Sequence, residues 1–285
     1  MIHHYNTVYH ADNSYELPVR QAVYQLLVLP ESNDQQQLLD FEVESSSPNE
    51  WWTATNAFGA QCIMLAPQFP VDKIQFEIRS TVNVNSINPF DRPFISPESQ
   101  WELMSSNEFK VENATFLSQT DLTDFPDRDM SHLPEKDETK PVLDYLVALK
   151  SLLARELSYV QGATDAHTPA SLAWQEKKGV CQDFAHVLIG WCRMIGIPAR
   201  YVSGYLSQGH EFRGDAQLHA WAECLLPGDD WVGIDASNDL LVDHHYIKIA
   251  HGRDYYDCSP MTGVLISGGK QVSLHRVSVD MHANQ

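Results

Sequence analysis

Three residues of this chain are of types suited to nucleophilic acyl chemistry, and each stands where a secondary-structure element begins or ends. Gly179-Val180-Cys181-Gln182-Asp183-Phe184-Ala185-His186 places a cysteine where a turn passes into a helix. Phe184, Leu188, Trp191 and Ile195 recur on one helical face, and Gly196 and Pro198 stop it. Cys181 falls in the first turn and points toward the body of the protein. There, unpaired N–H groups and the helix dipole favour a thiolate. A cysteine nucleophile needs a base, and the base needs an orienting group. Of thirteen histidines, His219 has the best context. It opens a strand in which His219, Trp221 and Glu223 share a face. The next strand, Trp231-Val232-Gly233-Ile234-Asp235, ends in an acid. A turn at Pro227-Gly228-Asp229-Asp230 brings His219 and Asp235 to one sheet edge. Asp235 lies five residues beyond that turn and His219 eight before it, so a bulge or offset is required. The roles that follow are Cys181 as nucleophile, His219 as general base then acid, and Asp235 as imidazole orienter. Taken singly, each has a plainer reading: a buried cysteine acts as a small hydrophobe, and an aspartate at a strand end is a turn residue. The weight lies in their joint placement.

The elements that must position these residues can be read from periodicity. Leu39, Phe41 and Val43 alternate with polar neighbours, as do Ile74, Phe76, Ile78, Val82 and Val84, which predicts half-buried strands. Asn56-Ala57-Phe58-Gly59 reads as a hairpin turn. Residues 1–110 are therefore expected to form a β-sandwich. Residues 111–140 read as a linker with short helices, its acidic, proline-containing stretch from Asp121 a surface connection. In residues 141–285, Val142, Leu146, Leu149, Leu153 and Leu157 mark a long amphipathic helix. Thr168-Pro169 reads as an N-cap followed by proline at the first helical position. Strand-like runs follow the Cys181 helix. Helices and then an antiparallel sheet make an α+β domain.

Composition narrows the function classes. A chain of 285 residues allows one large domain or two ordinary ones, and an apolar fraction of 43% builds a sizeable core. A net charge of −19 argues against nucleic acid and against anionic membranes, and suits cationic substrates such as amines or lysine-rich peptides. The N-terminal residues lack a signal-peptide pattern, and no apolar run of about 18 residues predicts a membrane span. Five widely spaced cysteines fit reduced thiols and a cytoplasmic location. Cys192 and Cys224 sit at core positions. No CxxC or HExxH is present, and His244-His245, adjacent on an extended segment, would point opposite ways, so no metal site is expected.

The residues from Gly179 to His186, Gly196-Ile197-Pro198-Ala199-Arg200-Tyr201-Val202-Ser203-Gly204-Tyr205, His219-Ala220-Trp221, Trp231 to Asp235 with Asn238, and Ala250 to Tyr255 with Gly263-Val264 follow one another in an order that resembles the bacterial transglutaminase-like cysteine peptidases. The first half, with its Phe58-Gly59 hairpin, resembles the β-sandwich that precedes this domain in many members. The resemblance covers nearly the whole chain. It implies an α+β fold with an N-terminal β-sandwich and a papain-like, transglutaminase-like catalytic domain. It implies a triad at Cys181, His219 and Asp235, with the Cys181 N–H as one oxyanion donor. Gln182 and Trp174 are candidates for the second donor, and His186 for support one turn beyond the nucleophile. Tyr201, Ser203, Tyr205 and Trp221 are candidates to line the cleft, and Arg253-Asp254 is a candidate ion pair. Leu218, where a small polar residue is usual, and Ala236-Ser237, where Pro-Thr is common, depart from the family pattern beside the triad and bear on substrate preference. The expected activity is cofactor-free hydrolysis of an amide or isopeptide bond in a peptide or protein through a thioester. Acyl transfer to an amine acceptor and a non-catalytic peptide-binding module are the rivals.

Overall fold

A computed structural model describes residues 1–285 apart from 69, 87, 208–211, 215, 216, 229, 267, 268 and 283–285. The chain opens with β1 (Ile2–Val19), β2 (Gln21–Leu26), β3 (Gln36–Ser45), β4 (Asn49–Thr55), β5 (Gln61–Pro67) and β6 (Val71–Asn85). Helices α1 (Pro97–Ser105), α2 (Asn107–Glu112), α3 (Ala114–Leu117) and α4 (Val142–Glu156) follow. Then come β7 (Ser158–Tyr159), α5 (Ala170–Glu176), β8 (Lys178–Gly179) and α6 (Cys181–Met194). The remaining strands are β9 (Ala199–Leu206), β10 (His219–Leu226), β11 (Asp230–Asp235), β12 (Leu240–Leu241), β13 (Tyr246–Gly252), β14 (Met261–Ile266) and β15 (Gln271–His282). A 3-10 turn, Tyr255–Cys258, precedes β14.

Two four-stranded antiparallel sheets, ordered β15-β1-β6-β3 and β14-β2-β5-β4, face each other as a sandwich. Alternation dictates this. In β1, Tyr5, Thr7, Tyr9, Ala11, Asn13 and Tyr15 are buried and the residues between them are not. They meet Tyr24, Ile63, Leu65, Phe76 and Ile78 in the shared core. The phase fails at one predicted place. Leu39 is half exposed while Phe41 and Val43 pack inward, because β3 shifts register against β6 between Leu38 and Asp40 and flips the pleat. The hairpin at 56–60 forms as predicted: Asn56 Oδ1 accepts the N–H groups of Phe58 and Ala60 at 2.9 Å, and Gly59 takes φ +87°.

The second half is a five-stranded sheet, β12-β11-β10-β9-β13, with α6 packed across it. Cys192 of α6 meets Cys224 of β10 at 3.6 Å, both in the core. The expected division at residues 110 and 140 meets a different set of contacts. α1 lies before residue 111 yet packs beside α4, with Trp101 against Tyr145 and its indole donating to the Lys140 carbonyl at 3.0 Å. β14 and β15, from the far end of the chain, pair with β2 and β1 and complete the sandwich sheets. The stretch after Asp121 is no mere surface connection, since Leu122, Thr123 and Phe125 are buried. Buried Arg193 donates to Thr123 Oγ1 and to the carbonyls of Phe116, Ala199 and Arg253. α5 begins one residue later than predicted, with Pro169 at the N-cap, because the Thr168 hydroxyl is engaged with Asp165. Of the turn joining β10 to β11, Asp229 lies outside the described residues; Gly228 takes φ +100°.

Candidate active site

β7 and β8 run parallel, setting Tyr159 beside Gly179 just before the chain turns into α6. Val180 is the extended N-cap residue, and Asp183 reaches back so that its Oδ2 accepts the Val180 N–H at 2.7 Å and the Thr164 hydroxyl at 2.6 Å. The reach requires glycine at 179: a Cβ there would lie 2.6 Å from the Asp183 Cβ. Cys181 is thereby fixed as the first residue of α6, buried, at one wall of a cleft of about 380 Å³.

His219 and Asp235 reach the same place from the sheet. β10 pairs with β11 through Ala222–Ile234, with no bulge in that register. His219 and Asp235 therefore share a face at an offset of two positions, and their side chains bridge the gap. His219 Nε2 meets Asp235 Oδ2 at 2.7 Å. The carboxylate takes further hydrogen bonds. Its Oδ1 accepts the Ser237 N–H at 3.0 Å, the Ser237 hydroxyl at 2.7 Å and the Asn238 N–H at 3.2 Å. Its Oδ2 accepts the Asn238 side-chain amide at 2.7 Å and the Tyr246 hydroxyl at 2.9 Å. Burial opposes the charge on Asp235, but His219 and these donors hold its carboxyl well below the usual range. Burial likewise opposes a charged His219; Asp235 and the neighbouring Cys181 sulfur outweigh it and push the imidazole up to about 10.

With Nε2 engaged by the carboxylate, Nδ1 is the nitrogen left for proton transfer. It is buried, and a side-chain hydrogen bond with Cys181 is among the causes that raise the ring's pKa. The loop above it comes close: a Cβ on Gly214, at φ +87°, would lie 2.9 Å from Nδ1. Arg213 ties that loop to the Asp235 turn, its N–H donating to Asn238 Oδ1 at 2.8 Å and its guanidinium to the Ser237 carbonyl at 2.9 Å.

Of the other candidates, Gln182, Tyr201 and Ser203 line the cleft with Cys181 and His219. Ser203 Oγ is buried with no partner among the described residues. Trp174 is held elsewhere, edge-on to Trp191 with ring centroids 4.8 Å apart and beside His132 at 5.0 Å, so it is not an oxyanion donor here. Tyr205 is fully buried and donates to the Val28 carbonyl at 2.6 Å, joining the sheet to the sandwich. Trp221 packs with Val202, Leu206 and Tyr246 in a separate apolar cluster. Trp221 shares the sheet face of His219 but packs behind it, against Tyr246, and Tyr205 lies further along β9 on the face of Tyr201 and Ser203. His186 is buried and held neutral, its pKa pushed down to about 3 by burial and then by Arg193. It accepts the Tyr255 N–H at 3.2 Å, and Tyr255 is part of the cleft wall. Arg253 pairs with Asp257 at 2.9 Å, while Asp254 caps the 3-10 turn by accepting the Tyr256 N–H.

Sequence reasoning missed Tyr159. Its phenol oxygen accepts the Cys181 N–H, and burial, followed by the charges on Cys181 and Asp235, raises its pKa. A phenol on the expected oxyanion donor can itself donate to an anion arriving there. The only sequence signal was its distance upstream of a cysteine, which carries no geometry. Tyr246, the last donor to Asp235, was missed for the same reason. The donor atoms of Asp243, His244 and His245 lie within 4.8 Å of one another, a spacing that can hold a metal ion. The expectation that the two histidines diverge assumed an extended segment, and residues 244 and 245 form a turn. His245 Nδ1 is already engaged with Asp243 at 3.0 Å.

Comparison with known proteins adds family and fold. Residues 133–236 match the model of the transglutaminase-like superfamily. Uncharacterised proteins of Mycobacterium bovis and Mycobacterium tuberculosis are each 35% identical over 160 residues, covering 53% of this chain and 49% of theirs. The chain thus spans about half the length of the curated relatives it matches. In three dimensions it resembles the crystal structure of a "Putative Cysteine Protease" from Cytophaga hutchinsonii, with a TM-score of 0.78, 19% identity, and 100% of this chain and 92% of that one covered. That likeness is one of fold. Through residues 133–236 the chain is similar to the transglutaminase-like superfamily.

Proposed function

We propose that this protein is a cysteine hydrolase that cleaves an amide or isopeptide bond of a peptide or protein through a thioester. The observation that carries the reading is the His219–Asp235 pair at 2.7 Å, opening onto the cleft that Cys181 lines. The Cys181 sulfur adds to the carbonyl carbon, and the oxyanion takes the Cys181 N–H and the Tyr159 hydroxyl. The C–N bond breaks as the His219 imidazolium gives its Nδ1 proton to the departing amine. Water, deprotonated by His219, then attacks the thioester, releasing the acid and restoring the thiol. Asp235 keeps Nε2 protonated throughout, and its six donors keep it anionic. Water is favoured over an amine as acceptor because no aspartate or glutamate is among the described cleft residues to gather cationic amines. The five cysteines are free thiols, which supports a reducing, cytoplasmic setting. No described helix is long and apolar enough to cross a membrane. We assign the sandwich residues 1–85 with 261–282.

Alkylation tests the nucleophile. Burial pushes up the thiols of Cys62 and Cys258, and a hydrogen bond from Cys192 together with burial does so for Cys224. With iodoacetamide near pH 6, mass spectrometry should find Cys181 modified more than about tenfold faster than any other cysteine; equal rates at all five would sink the assignment. With p-nitrophenyl acetate as acyl donor, Tyr159→Phe should keep that fast alkylation and lower kcat about tenfold or more.

A further inference from the structure

The cleft has two walls of different origin. One is the start of α6 with the ends of β9 and β10; the other includes Ser273, Leu274 and His275 of β15. β15 is an edge strand of its sheet, paired with β1 alone over residues 271–282. Among the described residues no strand pairs with its other side. Ser273 and His275 are half-buried and point to one face, where Ser273 Oγ donates to Asn13 at 2.7 Å and His275 meets the Tyr9 hydroxyl at 2.6 Å. Leu274 points to the opposite face and is 56% exposed. Side chains of both faces line one cleft, so the cleft meets the strand at its edge, where main-chain N–H and C=O groups project.

This edge lacks the usual protection. Natural edge strands carry lysine, proline or bulges that discourage pairing. Gln271-Val272-Ser273-Leu274-His275 has no lysine, arginine, aspartate, glutamate or proline, and its register with β1 runs unbroken. The described cleft residues likewise include no lysine, arginine, aspartate or glutamate, so charge gives the cleft nothing by which to select a substrate. What remains is a row of backbone groups beside a nucleophile.

We infer that the substrate is an extended polypeptide that adds as a strand to the outer edge of β15 at residues 271–275 and so presents a main-chain or side-chain carbonyl to Cys181. The inference rests on the proposed cysteine chemistry. Main-chain pairing supplies affinity, and alternate side chains meet the cleft wall at Leu274 or face outward. Selection is by extended conformation and by the absence of proline or N-alkyl groups at alternate positions, rather than by charge. The lysine-rich substrate compatible with the net charge is therefore not favoured.

The probe is an acetyl-tetraalanyl vinyl sulfone, with variants N-methylated at one residue at a time and iodoacetamide as a reference for thiol reactivity. N-methylation should slow labelling of Cys181 by about tenfold at every second residue and little at those between, reflecting the two-residue period of strand pairing. After labelling by the peptide, but not by iodoacetamide, hydrogen exchange should slow at amides within residues 272–275. A uniform effect of N-methylation, unchanged exchange in β15, or a peptide probe no faster than iodoacetamide would overturn strand addition while leaving the nucleophile intact. Failure of iodoacetamide itself to select Cys181 would instead overturn the chemistry on which the inference rests.

Discussion

His219 and His186 lie in the same half of the molecule, both fully buried, and are driven to opposite charge states. Burial and then Arg193 keep His186 neutral, with its pKa near 3, whereas Asp235 and Cys181 overcome burial at His219 and carry it to about 10. An imidazole at about 10 when folded and about 6.5 when unfolded binds its proton more tightly in the folded state. Its contribution to stability is therefore fully present below about 6.5 and fades as pH rises towards 10. Asp235, held low, contributes in the opposite sense: present above about 3.9 and lost as pH falls towards its folded value. Because the Cys181 sulfur acts with Asp235 to raise His219, Cys181→Ala should lower the His219 pKa. The Hε1 chemical shift followed across pH measures this, and an unchanged midpoint would show that the sulfur does not act on the ring. The sequence singled out His219 among thirteen histidines by its place at a strand start. It gave no means of finding Tyr159 or Tyr246, whose contributions depend on which atoms converge in space.

The α6 start shows what an element can and cannot announce. Its apolar rhythm and the Gly196 stop were legible, since helical period and a glycine at φ +88° are local matters. The closing hydrogen bond from Val180 to Asp183 was not, although its glycine stands in plain sight. Replacing Gly179 by alanine puts a methyl group into the Asp183 side chain, which must leave the Val180 N–H or push the helix aside. Gly179→Ala should cost about 1–3 kcal/mol, read as a fall in Tm of several degrees, and should slow alkylation of Cys181 as the first turn loosens. A variant as stable and as reactive as the parent would show that the close approach is not needed. The bulge at Leu39 escaped for a related reason: alternation reveals a face only while the pleat keeps its phase.

At the scale of the molecule, sandwich and α+β half are joined by polar clamps as well as by apolar surface. Gln36 is buried, its Nε2 donating to the carbonyls of Lys248 at 2.7 Å and Glu31 at 2.6 Å while its Oε1 accepts the Lys248 N–H at 2.8 Å. The Tyr205–Val28 bond adds a second tie. Gln36→Ala leaves the Lys248 N–H without its acceptor, while the Lys248 carbonyl keeps the Glu31 N–H, and it should lower unfolding stability by about 1–3 kcal/mol. In a denaturant titration it should split one transition into two as the halves lose their coupling. A single transition with an unchanged midpoint would refute the clamp. None of this pairing was legible in the sequence, because alternation in residues 271–282 tells which side chains face inward and says nothing of a partner some 260 residues away.

The return of β15 to β1 also orders the protein's assembly in time. A ribosome delivers β1 some 260 residues before its neighbour β15, so the sandwich sheet waits with one flank open until residues 271–282 emerge. Cys181 has left the ribosome well before then, without the second wall of its cleft. The thiol is thus translated about a hundred residues ahead of the surface that would hold a substrate against it. Peptides of the nascent chain itself, and of its neighbours on a polysome, pass before the nucleophile can hold them in place.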